Sequence, residues 1–485
     1  GGSPGGSPGA FLRSVSGGVR TSMEWTNLTF SVKDKVILNG VSGTIPAGEM
    51  LCILGPSGAG KSTLLNILAG RMNTKGRGLS FTGEVSLNGA IVDPVNVRSK
   101  VAYVMQEDAL MAMSTPRECL EMSATLRLGQ GDVRELVGEL LKALRLTKCA
   151  DTYVGNSLVR GLSGGEKKRT AVASELITRP KMIFLDEPLS GLDSYAAWTV
   201  VEVLKDLASN GCAVACTIHQ PSSEIFQAFS KVAVLSEGKV VYHGPVQKLT
   251  DHMRGVGHPV PVHYNPADHI LFFVQSQPTD VLDSFAETWS REEGNSVLPD
   301  ISKVRARAGA LEVRAIRRQS SFCTQLWFLM RREVREIVRN KTGLTMRFVV
   351  NGFMNLLFAC IFQGIGVKND TPQGIQSHFG AVCNVMIGSM FGTASPLLLQ
   401  FPAERPVFLR EYAASMYGTV PYFLAKTLVE MPVTLLTAIE SLLISYWLME
   451  LQGNWIALVL VAWGLSLTAA STALFIGCSV ASAQV

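Results

Sequence analysis

Gly55-Pro56-Ser57-Gly58-Ala59-Gly60-Lys61-Ser62-Thr63 is the stretch on which the fold class turns. It follows the apolar run at 50–54 and opens a helical pattern over 63–69. A phosphate-cradling loop requires this strand–loop–helix context. Its glycines let backbone N–H groups converge on phosphate oxygens, and the helix N-terminus adds a favourable dipole. In such a loop Lys61 reaches the outer phosphates and Ser62 is placed to ligate Mg2+.

Outward from the loop, short β-branched runs alternate with helical patterns from Met23 to Val246, which argues an α/β domain. The runs at 50–54, 181–185, 213–218 and 232–235 are apolar without alternation, as in a sheet covered on both faces. The run at 181–185 ends in Asp186-Glu187-Pro188. At a strand tip beside a phosphate loop, Asp186 can hold Mg2+ through water. Glu187, one residue on, can polarise an attacking water.

A third motif, Gly161-Leu162-Ser163-Gly164-Gly165-Glu166-Lys167-Lys168-Arg169, resembles the signature of ABC ATPases. The resemblance implies that ATP is sandwiched between the phosphate loop of one subunit and the signature of another. Ser163 and the Gly164 and Gly165 amides would then meet the γ-phosphate, with Glu166 closing the motif. Paired glycines at a helix start suit that contact. The same resemblance makes Gln106, in Tyr-Val-Met-Gln-Glu-Asp, the glutamine that senses Mg2+ and the membrane domain. It makes Asp193, in Leu-Ser-Gly-Leu-Asp-Ser, the residue of dimer communication, and His219 the switch histidine. Many relatives stack adenine on an upstream aromatic. Here the matching place is Val32, with Phe30 and Trp25 nearby, so either adenine receives only apolar contact or one of these aromatics substitutes.

Beyond the ATPase the composition changes. The mean hydropathy of the 485 residues is +0.24 although 17% are charged, which describes a mosaic of soluble and membrane parts. Residues 348–367, 378–402 and 455–485 contain no Asp, Glu, Lys or Arg. Four spans are expected, at about 346–366, 379–401, 421–448 and 455–480. Basic residues crowd ahead of the first, and Arg405 and Arg410 lie between the second and third. The positive-inside rule therefore puts the ATPase domain in the cytosol of a multi-pass protein of the plasma membrane or an organelle membrane. A net charge of +5, clustered before the first span, argues against a nucleic-acid partner. The nine cysteines lack metal-ligand spacing, and Cys212 and Cys216 read as core.

The expected organisation is a Gly/Ser/Pro-rich disordered lead-in over 1–22, an ATP-binding domain over 23–275 and a polar linker over 276–320. An amphipathic interfacial helix over 321–345 and a partial transmembrane domain over 346–485 follow. In the interfacial helix Phe322, Leu326, Leu329, Met330 and Val334 face away from Arg331, Arg332, Arg335 and Arg339. The fold class is thus an α/β P-loop ATPase followed by an all-α multi-span domain.

ATPase first and membrane domain second resembles the G (White-type) ABC half-transporters, as do Asn265-Pro-Ala-Asp268 and the run ERPVFLREYAASMYGTVPYFLAKTLVEMP over 404–432. That resemblance implies ATP-driven export of a lipophilic or amphipathic substrate by a dimer, either of two identical chains or with a partner half-transporter, in a lipid bilayer. It makes 404–412 a cytosolic coupling helix and gives Glu430 a part in coupling the spans. Glu440 lies deeper and is read either as a substrate contact or as a protonated, interhelical hydrogen-bonding group. The sequon Asn369-Asp-Thr371 sits close to the bilayer ahead of Pro372, and no glycan is expected there. The sequence stops at Val485 just past the fourth span, so a chain lacking later spans is expected. A non-transporting regulatory or truncated half-transporter is the alternative.

Overall fold

The computed structural model describes residues 21–72, 74, 76–97, 101–129, 133–156, 159–292, 320–367 and 371–479. These fall into two compact units. The first holds the described residues up to 108, with 115–152 and those from 161 to 292; the second holds 109–114, 153–160 and the described residues from 320 onward.

In the first unit, β1 (Met23–Val32), β2 (Lys35–Ile45), β4 (Leu79–Leu87) and β5 (Ala90–Val92) form an antiparallel sheet in the order β2-β1-β4-β5. A second sheet runs β10-β9-β3-β8-β7-β6. It comprises β3 (Met50–Leu54), β6 (Val101–Val104), β7 (Met182–Asp186), β8 (Ala213–Thr217), β9 (Lys231–Ser236) and β10 (Lys239–Pro245). All its pairings are parallel except β9 with β10. Every residue of β3, β7 and β8 is buried, because helices and the first sheet cover both faces. Three helices matter for the site: α1 (Lys61–Leu68), α2 (Gly164–Leu176) and α3 (Ser194–Ser209).

The ATPase unit runs further than the composition suggested. Residues 279–292, expected as the start of a linker, form α4 (Thr279–Glu292). Leu282, Phe285 and Trp289 are buried along one side of it, and Trp289 Nε1 donates to His243 O on β10 at 3.0 Å. Of the expected linker, 293–319 lie outside the described residues, as do 1–20 of the lead-in, Asn369 of the sequon and everything past 479.

The second unit is helical: α5 (Phe322–Arg339), α6 (Lys341–Ile361), α7 (Pro372–Ala413), α8 (Thr419–Leu448) and α9 (Trp455–Ser479). The last four are long and apolar enough to cross a membrane. Helix α7 runs unbroken for 42 residues, and 404–412, expected as a coupling helix, is its final stretch.

Helix α5 occupies the stretch expected as an amphipathic helix, with Leu329 buried as expected and Arg332 departing from the expected polar face. Arg332 is buried and Phe322 and Val334 are exposed, as are Trp327 and Val338. Arg332 Nη1 lies 2.6 Å from Glu411 Oε2 on α7, and Gln325 Oε1 accepts from Gly418 N at 3.1 Å. An oppositely charged partner more than seventy residues away gives the buried Arg332 its counter-charge.

Candidate nucleotide site

The phosphate loop leaves the fully buried β3 and enters α1 at Gly60, whose φ of 96° an L side chain rarely adopts. A Cβ there would also meet Leu38 Cδ2 at 2.8 Å. Lys61 Nζ donates to Gly55 O at 2.7 Å and Pro56 O at 2.9 Å, so the side chain folds over the loop it serves. Burial lowers the Lys61 pKa from its ordinary value, while Glu187 and Asp186 oppose the shift.

Asp186 closes β7 and stands in register with Thr217 on β8. Its Oδ1 accepts from Ser62 Oγ at 3.0 Å and from Thr217 Oγ1 at 2.6 Å, and its Oδ2 from Tyr103 Oη at 3.3 Å. The Thr217 hydroxyl in turn accepts the Glu187 N–H at 2.9 Å. Glu187 needs that anchor, because its φ of 45° is left-handed. Gln106 Nε2 donates to Glu187 Oε2 at 2.9 Å. The loop at 55–63, Gln106, Asp186 and Glu187 therefore converge as the motifs led one to expect. The oxygens of Ser62, Asp186 and Gln106 are hard donors of the kind Mg2+ takes when substrate phosphates complete its shell.

The signature is built as a helix start. Ser163 caps α2: its Oγ accepts from Glu166 N at 3.4 Å and donates to Glu166 Oε2 at 2.8 Å, and Ser163 N donates to the same Oε2 at 2.9 Å. Burial pushes the Glu166 carboxyl up, but these Ser163 hydrogen bonds leave it below the usual glutamate value. A Cβ on Gly165 would meet Ala196 Cβ at 2.7 Å in the first turn of α3, whose cap Asp193 accepts from Ala196 N at 2.8 Å. The second signature glycine thus has a packing duty besides baring backbone amides. Among the described residues, no hydrogen bond or ion pair joins 163–166 to 55–63. His219 is exposed just beyond β8.

Trp25 and Phe30, named above as stand-ins against adenine, are only 2% and 1% exposed and pack in the core. That leaves half-buried Val32 at the end of β1. Three residues to which the motifs assign no role also belong here. Thr217 and Tyr103 hold Asp186. Lys168, only 2% exposed, donates to Gln106 O at 2.8 Å and pairs with Asp108 at 2.9 Å, tying the glutamine loop to the signature helix. A polar residue closing an otherwise apolar strand was the available sign for Thr217. Lys168 reads as one more base in a basic run and gave none.

Comparison with known proteins identifies the family of each half of the chain. Residues 38–190 match the ABC transporter family, and residues 324–485 match the ABC-2 type transporter family. ABC transporter G family member 22 of Dictyostelium discoideum is 33% identical over 445 residues, which cover 88% of this chain and 70% of that protein. The chain belongs to the G family of ABC transporters. Another G-family relative, the broad substrate specificity ATP-binding cassette transporter ABCG2 of Rattus norvegicus, is 31% identical, covering 86% of this chain and 67% of the relative. Protein white of Drosophila melanogaster is 33% identical, covering 87% and 62%. The chain accordingly spans about two thirds of the length of these relatives. As a G-family half-transporter it is a membrane protein whose ATPase drives export across the membrane.

Proposed function

We propose that two such chains, or one chain and a related half-transporter, close on two ATP molecules and use that closure to move a lipophilic or amphipathic substrate out of a cytosol-facing cavity. The observation that carries this reading is the separation of the two half-sites. The loop at 55–63 has its own Asp186, Glu187 and Gln106, whereas Ser163 caps α2 with no bond to that loop among the described residues. A second chain's signature would complete each ATP.

Within one site, Lys61 and the loop amides hold the β- and γ-phosphates. Glu187, set by Thr217 and Gln106, orients and deprotonates the attacking water. His219 stands beside the γ-phosphate, and Asp193 relays between the two sites. Ser62, Asp186 and Gln106 are the residues that would hold Mg2+, which would supply positive charge to the phosphate oxygens. The ATPase unit faces the cytosol, in the plasma membrane or an organelle membrane.

Mixing two inactive variants tests the composite site. Lys61→Ala spares the signature and Ser163→Arg spares the phosphate loop, so a mixed dimer rebuilds one complete site. ATPase activity is expected to reappear on mixing. Two variants that stay inactive when mixed, together with wild-type monomers as active per chain as dimers, would falsify the arrangement.

A further inference from the structure

Four glutamates on α7 and α8 are partly or fully buried: Glu404, Glu411, Glu430 and Glu440. The first three each have a cation from the chain. Glu404 pairs with Lys426, Glu411 with Arg332 at 2.6 Å, and Glu430 with Arg347 at 2.5 Å. Glu440 has none among the described residues. It lies ten residues beyond Glu430, about 15 Å further along α8. Its partner Asn351 is the middle residue of α6.

A built site surrounds the carboxyl. Asn351 Nδ2 donates to Glu440 Oε2 at 2.9 Å and to Ser441 Oγ at 3.0 Å. Asn355 Nδ2 donates to Asn351 Oδ1 at 3.2 Å and to Ser441 Oγ at 3.1 Å, which fixes the face Asn351 turns to Glu440. Two glycines make the room. A Cβ on Gly352 would come within 2.9 Å of Glu440 Oε1, and one on Gly392 within 2.9 Å of Asn351 Oδ1. At this level α6, α7 and α8 meet around an amide and a carboxyl, beside the apolar contacts of Ala359, Ala381, Val385, Ala438 and Leu442. Glu440 interrupts an exposed apolar stripe of Leu436, Leu443 and Trp447 at helical spacing.

We propose that Glu440 and Asn351 form a recognition site within the membrane for the protonated amine of an amphipathic cargo. The ammonium supplies the cation that the other three glutamates draw from the chain, and the apolar body lies along Leu436, Leu443 and Trp447. The inference rests on the export reading and gives its cargo a chemical class.

The test uses the full-length dimer in lipid nanodiscs and two probes of one shape, 4-phenylbutylamine and 4-phenylbutanol, with ATP hydrolysis as readout. The amine is expected to half-saturate stimulation at a concentration about tenfold below the alcohol, a preference of ~1.4 kcal/mol. Glu440→Gln should remove that preference by weakening the response to the amine alone, and Glu440→Asp should keep part of it. Equal response to the two probes in the wild type, or no response to the amine, overturns the site without any variant. So does a Glu440→Gln protein that still prefers the amine, which would make Glu440 a neutral interhelical group. A variant weakened equally toward both probes would make it structural. Wild-type dimers that do not hydrolyse ATP would overturn the export reading and the site with it, whereas hydrolysis without amine preference overturns the site alone.

Discussion

Thr217→Val removes one oxygen from the centre of the ATP site and leaves a β-branched side chain of nearly the same shape in β8. The hydroxyl it deletes donates to Asp186 Oδ1 at 2.6 Å and accepts the Glu187 N–H at 2.9 Å, at a residue with no solvent exposure. A hydrogen bond to a charged group contributes about 1.5–3 kcal/mol, and a buried N–H left unpaired costs about 1–3 kcal/mol. Part of that loss is absorbed by relaxation of Glu187 out of its left-handed conformation, itself a strain of about 1–3 kcal/mol. The relaxation moves the carboxylate that must orient water. If ~2 kcal/mol of the total reaches the hydrolysis barrier, kcat falls by about 30-fold. ATP affinity should stay close to wild type, because Lys61 and its loop are untouched. Thr217→Ser should restore most of the rate, which a loss of mere packing would not predict. Steady-state hydrolysis and equilibrium nucleotide binding, measured on the same protein, separate the two quantities. A Thr217→Val protein with kcat within about twofold of wild type would refute the idea that this hydroxyl positions the Asp186–Glu187 pair.

Glu187→Gln is expected to bind ATP normally yet show no steady turnover, since an amide cannot take a proton from water; turnover and retained nucleotide are the two readouts. Arg347→Ala should destabilise the membrane helices by about 3–5 kcal/mol by stranding Glu430. Arg347→Ala/Glu430→Gln should recover much of that loss, seen as the thermal unfolding midpoint in detergent. His243, on β10 against Thr44 O at 3.2 Å, has its pKa lowered to about 4 by burial, with Lys231 adding to the effect. Unfolded histidine titrates near 6.5, so the unfolded chain binds the extra proton first. Stability is full above about pH 6.5 and is lost as the pH falls toward 4, by ~3 kcal/mol. The midpoint of His243→Gln should vary less over that window than that of the wild type.

The ATP site was legible because its chemistry is local in sequence. The loop at 55–63, the pair Asp186-Glu187 and the start of α2 each carry their geometry within a few residues, and the structure brings the first two together around Ser62. The membrane helices were legible for a different reason, since long uncharged runs have few other fates. What stayed hidden depends on contacts far apart along the chain. Arg332 faces inward because Glu411 waits 79 residues later, and no periodicity within α5 shows it. Residues 279–292 read as linker because a helix with a single buried edge is mostly polar, although Leu282, Phe285 and Trp289 mark that edge. Trp25 and Phe30 are near enough in sequence to suggest adenine, and only the pairing of β1 with both β2 and β4 shows that they point into the core.

Lys168 joins Gln106, which faces the chain's own nucleotide, to the helix whose tip at Ser163 is proposed to serve the partner's. In the proposed dimer Lys168 is therefore a physical route from one nucleotide site to the other that does not pass through the membrane helices. The two sites should fill cooperatively, so that hydrolysis rises with ATP more steeply than a hyperbola, with a Hill coefficient between 1 and about 2. Lys168→Met cuts the strut and spares both half-sites. It should return the curve to a hyperbola while moving the half-maximal ATP concentration little. A curve as steep as wild type would mean that the two sites communicate by another route.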